Sequence, residues 1–267
     1  MRFQELFFDQ ARCISPLVGC LPFADCIPQA YLGGKAMQSV WTIEDVNHYR
    51  SEVQQRRTSF TYDNAPLYEA LDRWADIAVK GKHGLVIGSE TPWLEAMLLE
   101  YGASNVSTLE FGKIETSHPQ LTTYTPQEFT LKFLQGRIPP FDFAFSYSSL
   151  EHDGLGRYGD VLNPLGDLQS MARMLSAVKS GGFMFLGVPC CEDALYWNAH
   201  RVYGPVRYSD MFAGWRTLGS APRDAMEGTR GKEGDWVFQP VWALQNRMGC
   251  KDGTLGADIR SLGDTFL

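Results

Sequence analysis

The chain has 267 residues, 44% of them hydrophobic and 21% charged, with a formal net charge of −7 at pH 7. This is globular composition, and the length is enough to bury a core without disulfide support, which excludes a disordered chain or a small disulfide scaffold. The acidic balance opposes a phosphate backbone, so the expected partner is a small molecule or a protein and not nucleic acid.

Residues 1–62 read as an N-terminal extension. The first ten residues carry Gln4, Glu5 and Asp9 and do not form a signal peptide, and the apolar stretch 14–31 is broken by Pro16, Pro22, Asp25 and Pro28, so no membrane segment is expected. Cys13, Cys20, Cys26, Cys190, Cys191 and Cys250 contain no CxxC pair, which argues against structural zinc. Two readings stay open for them: buried free thiols in a reducing compartment, with the cytoplasm preferred, or disulfides in a secretory lumen. Thr42 followed by Asp45 forms an imperfect capping box and starts a helix over 42–57.

From residue 63 strand and helix patterns alternate. Leu67, Leu71, Trp74, Ile77 and Ala78 share one face of a helix over 67–79. Residues 83–87 form a buried strand that ends at Gly88. A helix over 93–101 turns Leu94, Met97 and Leu98 inward and stops at Gly102. Residues 106–111 are a second strand, 126–134 a helix, 141–147 a strand, and 167–178 a helix ended by Lys179-Ser180-Gly181-Gly182. Residues 183–188 are the next strand. Residues 235–245 form a last, antiparallel strand, where Pro240 implies an edge or a bulge and the aromatic side chains belong to the core. Such alternation predicts an α/β domain over 63–267, a mostly parallel Rossmann-like sheet with helices on both faces. Its strand carboxyl ends then line one edge, where ligands bind.

Three pieces at that edge carry chemistry. Gly88, between strand and helix, permits close backbone approach to a ligand. Glu110, roughly twenty residues further on at the next strand end, is placed to accept ribose hydroxyls. The string Phe141-Asp142-Phe143-Ala144-Phe145-Ser146-Tyr147-Ser148-Ser149-Leu150-Glu151-His152 breaks from an apolar strand into small polar residues and an acid–histidine pair. This string, with the Val178–Pro189 run after the next helix, resembles class I methyltransferases acting on small molecules. The stretch Ser148–Asp167 and the run Trp197-Asn198-Ala199-His200-Arg201-Val202-Tyr203-Gly204 are also similar to a methyltransferase-like family of unknown function known from Caenorhabditis.

The resemblance implies S-adenosylmethionine as cofactor, held by Gly88, Ser89, Glu90 and Glu110 with Ser146 and Ser148 bordering it. His152 and His200 are candidate bases, oriented by Asp153 or Asp160, and Arg157, Tyr158 and Asp160 reach the acceptor from a Gly-rich loop. A sugar-like acceptor follows only by analogy with what such folds act on. The usual turn has a strand acid and three glycines, whereas this chain has Val86 for the acid and Glu90 and Pro92 for the second and third glycines. A side chain there obstructs the methionine end of the cofactor, although Glu90 can meet its amino group and Pro92 suits a first helical turn. The alternative is therefore a non-catalytic binding or scaffold protein with a degenerate cofactor site. No HxH or HxxxH spacing points to a metal, and without GxGxxG a nicotinamide enzyme is not expected.

Overall fold

The computed structural model describes residues 38–57, 64–190, 193–223, 225 and 238–247. Strand β1 (Ser39–Trp41) leads into helix α1 (Ile43–Gln54), and helix α2 (Ala65–Ala78) precedes strand β2 (His83–Ile87). Helix α3 (Trp93–Glu100), strands β3 (Asn105–Leu109), β4 (Ile114–Thr116) and β5 (Leu121–Tyr124), and helix α4 (Pro126–Leu134) follow. Strand β6 (Phe141–Tyr147) runs into a 3-10 turn (Leu150–His152), helix α5 (Gly166–Ala177) and strand β7 (Val178–Gly187). A small hairpin of β8 (Ala194–Tyr196) and β9 (His200–Val202), helix α6 (Pro205–Met211), and strands β10 (Trp215–Ala221) and β11 (Val241–Asn246) complete the described chain.

Seven strands form the central sheet in the order β10-β11-β7-β6-β2-β3-β5. The pairs from β5 to β7 are parallel, and β11 runs antiparallel to both of its neighbours. From β2 the chain moves outward through β3 to β5, then returns to β6 on the other side of β2. The crevice above the β2–β6 junction is thus the topological switch point, where open α/β sheets bind ligands.

Alternation along each strand divides the core into two layers. Val86, Phe143, Phe145 and Phe185 face α1, α2 and α3. Leu85, Ile87, Ala144, Met184 and Leu186 face α4, α5 and α6. Thr42 caps α1 as expected: its Oγ1 accepts from the Asp45 N–H at 3.1 Å, and the Asp45 carboxylate accepts from the Thr42 N–H at 2.8 Å. Glu100 of α3 holds α1 through Arg50 at 2.5 Å and Gln54 at 3.1 Å.

Three expectations need correction. Ile77 is 59% exposed, because the buried stripe of α2 runs through Leu67, Ala70, Leu71, Trp74, Ala75 and Ala78 and leaves it outside. Lys179–Gly182 does not separate helix from strand. Pairing with β6 begins at Val178, opposite Phe141, and resumes at Phe183, opposite Phe143, so these four residues bulge within β7. Pro240 does not mark an edge, since β11 starts at Val241, one residue past it, and is paired on both sides. The ladder therefore never needs the missing proline N–H. Cys190 is buried, and the other five cysteines lie outside the described residues.

Candidate functional site

Gly88 and Glu110 stand side by side at the tips of β2 and β3, where Ile87 is in register with Leu109. The Gly88 N–H donates to the Leu109 carbonyl at 2.9 Å. Gly88 has φ +75°, a backbone shape that a side chain strains, and Ser149 from the β6 exit packs against its α-carbon.

The Glu110 carboxylate organises this turn. Its Oε2 accepts from Ser89 N–H at 2.9 Å, and its Oε1 accepts from the N–H groups of Phe111 at 2.7 Å and Gly112 at 3.3 Å. A carboxylate offers about four acceptor positions, so one remains for an incoming donor. Burial raises the Glu110 pKa above its usual range, and the charge of Glu90 adds to the rise. Glu90 itself is exposed at the lip of the turn, and its carbonyl accepts from Trp41 Nε1 at 3.2 Å.

Beneath the turn lies a residue absent from the sequence-based site. Glu95 on α3 is wholly buried, with Oε1 accepting from Thr108 Oγ1 at 2.7 Å and Oε2 lying 3.0 Å from Ser89 Oγ. Burial pushes its pKa up to about 7.

Ser146 and Ser148 sit where β6 ends. Ser148 has φ +52°, and its Oγ accepts from Gln239 Nε2 at 3.1 Å. Around it three buried side-chain atoms, Ser146 Oγ, Glu151 Oε2 and Gln239 Oε1, have no hydrogen-bond partner among the described residues. Buried polar atoms of this kind are normally satisfied, so the place suits a polar occupant. Burial raises the Glu151 pKa to about 8, which makes it an uncharged acid at neutral pH.

His152 is also buried. Its Nδ1 donates to the Ala199 carbonyl, and its Nε2 lies 3.6 Å from Glu151 Oε1. That approach is not an ion pair, because burial first and the nearby Arg157 second push the His152 pKa down to about 3. His200, with its ring 6.3 Å from that of His152, is pushed down to about 4 for the same two reasons. Both imidazoles are neutral at pH 7 and weak proton acceptors.

The structure brings the residues of the Gly-rich loop together but engages them with the backbone. Asp160 accepts from the N–H groups of Gly154 at 2.7 Å, Gly156 at 3.2 Å and Tyr158 at 3.2 Å, which shapes the loop. Arg157 Nη1 donates to the Ala199 carbonyl at 3.2 Å, and the Tyr158 ring meets His152 edge-on at 5.6 Å. Asp153 turns away toward α5 and accepts from Ser170 Oγ at 2.5 Å; burial raises its pKa to about 6.

A buried clamp explains the company these residues keep. Asp167, fully buried, accepts from Tyr203 Oη at 2.9 Å and from Arg207 at 2.5 and 3.1 Å, and lies 3.6 Å from Arg201 Nε. Arg201 also donates to the carbonyls of Asp153 at 2.7 Å and of Glu151, Asn163 and Pro164 at 3.4 Å. The stretch Ser148–Asp167 is thereby bound to the run Trp197–Gly204. No group of three or more metal-ligating side chains occurs among the described residues, and no described helix is long and apolar enough to cross a membrane.

The sheet order and the one antiparallel strand give the chain a Rossmann-like α/β fold of the class I methyltransferase type. The chain belongs to the family described as Caenorhabditis protein of unknown function, DUF268, whose model matches residues 81–229. The solved structures it resembles include the 1,6-didemethyltoxoflavin-N1-methyltransferase of Burkholderia thailandensis with bound 1,6-didemethyltoxoflavin and S-adenosylhomocysteine, at 15% identity and TM-score 0.46, over 76% of this chain and 87% of that one. The N-methyltransferase NodS of Bradyrhizobium japonicum is similar at 10% identity and TM-score 0.45, over 70% and 99% of the two chains. The [4+2]-cyclase SpnF is similar at 11% identity and TM-score 0.45, over 81% and 100%. A search of the curated proteins finds no match.

Proposed function

We propose that the chain binds S-adenosylmethionine at the Gly88 turn and transfers its methyl group to an oxygen or nitrogen atom of a small-molecule acceptor. One observation carries this reading: at the switch-point turn the Glu110 carboxylate is held by three backbone N–H groups and keeps one acceptor position in hand, and the negative charge of Glu90 acts on it. A ligand with hydroxyl donors and positive charge meets both, and S-adenosylmethionine is such a ligand. The residues fit the group on these grounds. Gly88, Ser89, Glu90 and Glu110 would hold it, with Ser146 and Ser148 at its border.

When bound, S-adenosylmethionine supplies an activated methyl group for in-line displacement. The chain's task is then alignment and exclusion of water. His152 serves as a neutral, fixed imidazole that orients the acceptor, because its depressed pKa makes it a poor base. Arg157, Tyr158, Asp160, Asp153 and His200 form and support the loop facing the acceptor. A sugar-like acceptor fits the uncharged polar atoms at Ser146, Glu151 and Gln239. Isothermal titration of the purified protein with S-adenosylhomocysteine tests the reading, with saturable heat as the expected result.

A second reading, a binding or scaffold protein without catalysis, is favoured by Ser149 packing onto Gly88 and by the side chains at positions 90 and 92. Absence of heat with S-adenosylhomocysteine and with S-adenosylmethionine at millimolar concentration selects it.

A further inference from the structure

The Ser89 hydroxyl has one hydrogen and two acceptors in reach: the Thr91 carbonyl at 2.8 Å and Glu95 Oε2 at 3.0 Å. The Thr91 carbonyl can only accept. Both contacts are hydrogen bonds at once only when Glu95 carries a proton and donates to Ser89 Oγ, while its other oxygen accepts from Thr108. The chain of bonds then runs without a gap from Thr108 through Glu95 and Ser89 to Thr91, and the Ser89 N–H continues it to Glu110. At Val86 the strand offers no acid to hold the turn from within the sheet.

We propose that Glu95, as an un-ionised carboxylic acid, is the positioning residue of the Gly88–Thr91 turn, acting from helix α3 in place of the absent strand acid. The inference rests on the cofactor reading above for its consequence, but its geometry belongs to the free protein. Burial without a cationic partner keeps the proton on. The charged group acting on Glu95 is Glu110 at the tip of β3, on which Glu90 of the turn acts in its turn; from α1, Arg50 is engaged by Glu100. None supplies a neutralising charge. Ionisation turns the one Ser89 hydrogen from the Thr91 carbonyl to Glu95 and sets a second negative charge beside Glu110, so the turn loses its Ser89–Thr91 bond as pH rises. An acid whose folded pKa is raised, here to about 7, weakens the fold between the ordinary carboxylate range and that value, and the loss persists above it.

Glu95→Gln tests the proposal, since the amide keeps one donor and one acceptor but cannot ionise. Melting temperatures and S-adenosylhomocysteine affinities are measured from pH 5 to pH 9 for wild type, E95Q and E95L. Wild-type affinity is expected to fall about tenfold between pH 5.5 and pH 8.5, while E95Q holds its value and E95L is weak throughout. Between the same limits the melting temperature of wild type falls relative to E95Q. Parallel pH profiles for wild type and E95Q, or an E95Q protein less stable than wild type above pH 8, overturn the proposal. If no form binds S-adenosylhomocysteine, the cofactor reading fails, and the melting profiles still decide the role of Glu95.

Discussion

Ser149 Oγ lies 1.9 Å from the point a β-carbon on Gly88 would occupy. The two strands that frame the switch point, β2 and β6, close on each other through this contact, so the crevice above them is shaped by the missing side chain.

Gly88→Ala is therefore costly on two counts. The left-handed backbone adds roughly 1–2 kcal/mol for a residue with a β-carbon, and the forced overlap typically adds about 1–3 kcal/mol. In a chain of this size each kcal/mol lowers the melting temperature by roughly 2–4 °C. Calorimetry should show the fall, and Ser149→Gly in the same chain should recover the packing part of it and not the backbone part.

Asp167→Asn leaves the Arg201 guanidinium, 5% exposed, without its buried counter-charge. Breaking a buried pair by one partner costs on the order of 3–5 kcal/mol. Chemical denaturation should show a loss of that size, and limited proteolysis should cut the 153–166 loop first. A loss below about 1 kcal/mol would mean the clamp is no stronger than a surface pair.

Glu110→Gln removes acceptor positions that three backbone N–H groups now use. Affinity for S-adenosylhomocysteine should drop at least about tenfold, or ~1.4 kcal/mol, with Glu110→Asp intermediate. Equal affinity in all three proteins would separate the acid from ligand binding.

His152 should remain neutral far into the acid range. Its folded pKa, near 3, lies below the value of 6.5 for a free imidazole, so it adds stability above pH 6.5 that is lost as pH falls toward 3. Nitrogen-15 NMR at pH 6 should find its ring uncharged, with the proton on Nδ1 facing Ala199. A charged ring at that pH would contradict the burial argument. His152→Phe should flatten acid unfolding between pH 6 and pH 4.

The strands over 83–87 and 141–147 are legible in the sequence to the residue because a parallel strand covered on both faces reads as a mainly apolar run, here interrupted only by His83 at one start and by Asp142 and Ser146 in the other. β5 and β10, at the two sheet edges, are not: Thr122 and Thr123 in one, Arg216 and Thr217 in the other, give no such run, and β10 is further irregular at Gly219. The tips of β2 and β3 could be read because Gly88 and Glu110 fall at strand ends with a known spacing. The partners of Asp167 could not, since Arg201, Tyr203 and Arg207 reach it only through folding. Glu95 did leave a trace: it is the acid inside Trp93-Leu94-Glu95-Ala96-Met97-Leu98, a helix buried on all sides.

The slot filled by β11 has a bearing on biosynthesis. Phe183–Gly187 is paired on one side by β6 and on the other by residues 241–245, which leave the ribosome more than fifty positions later. Until they emerge, the nascent sheet carries an unsatisfied apolar border, and β10 has no neighbour to join. Assembly of the sheet is consequently a late event in translation, and a message cut short ahead of Val241 should yield aggregated protein, whichever ligand the finished fold serves.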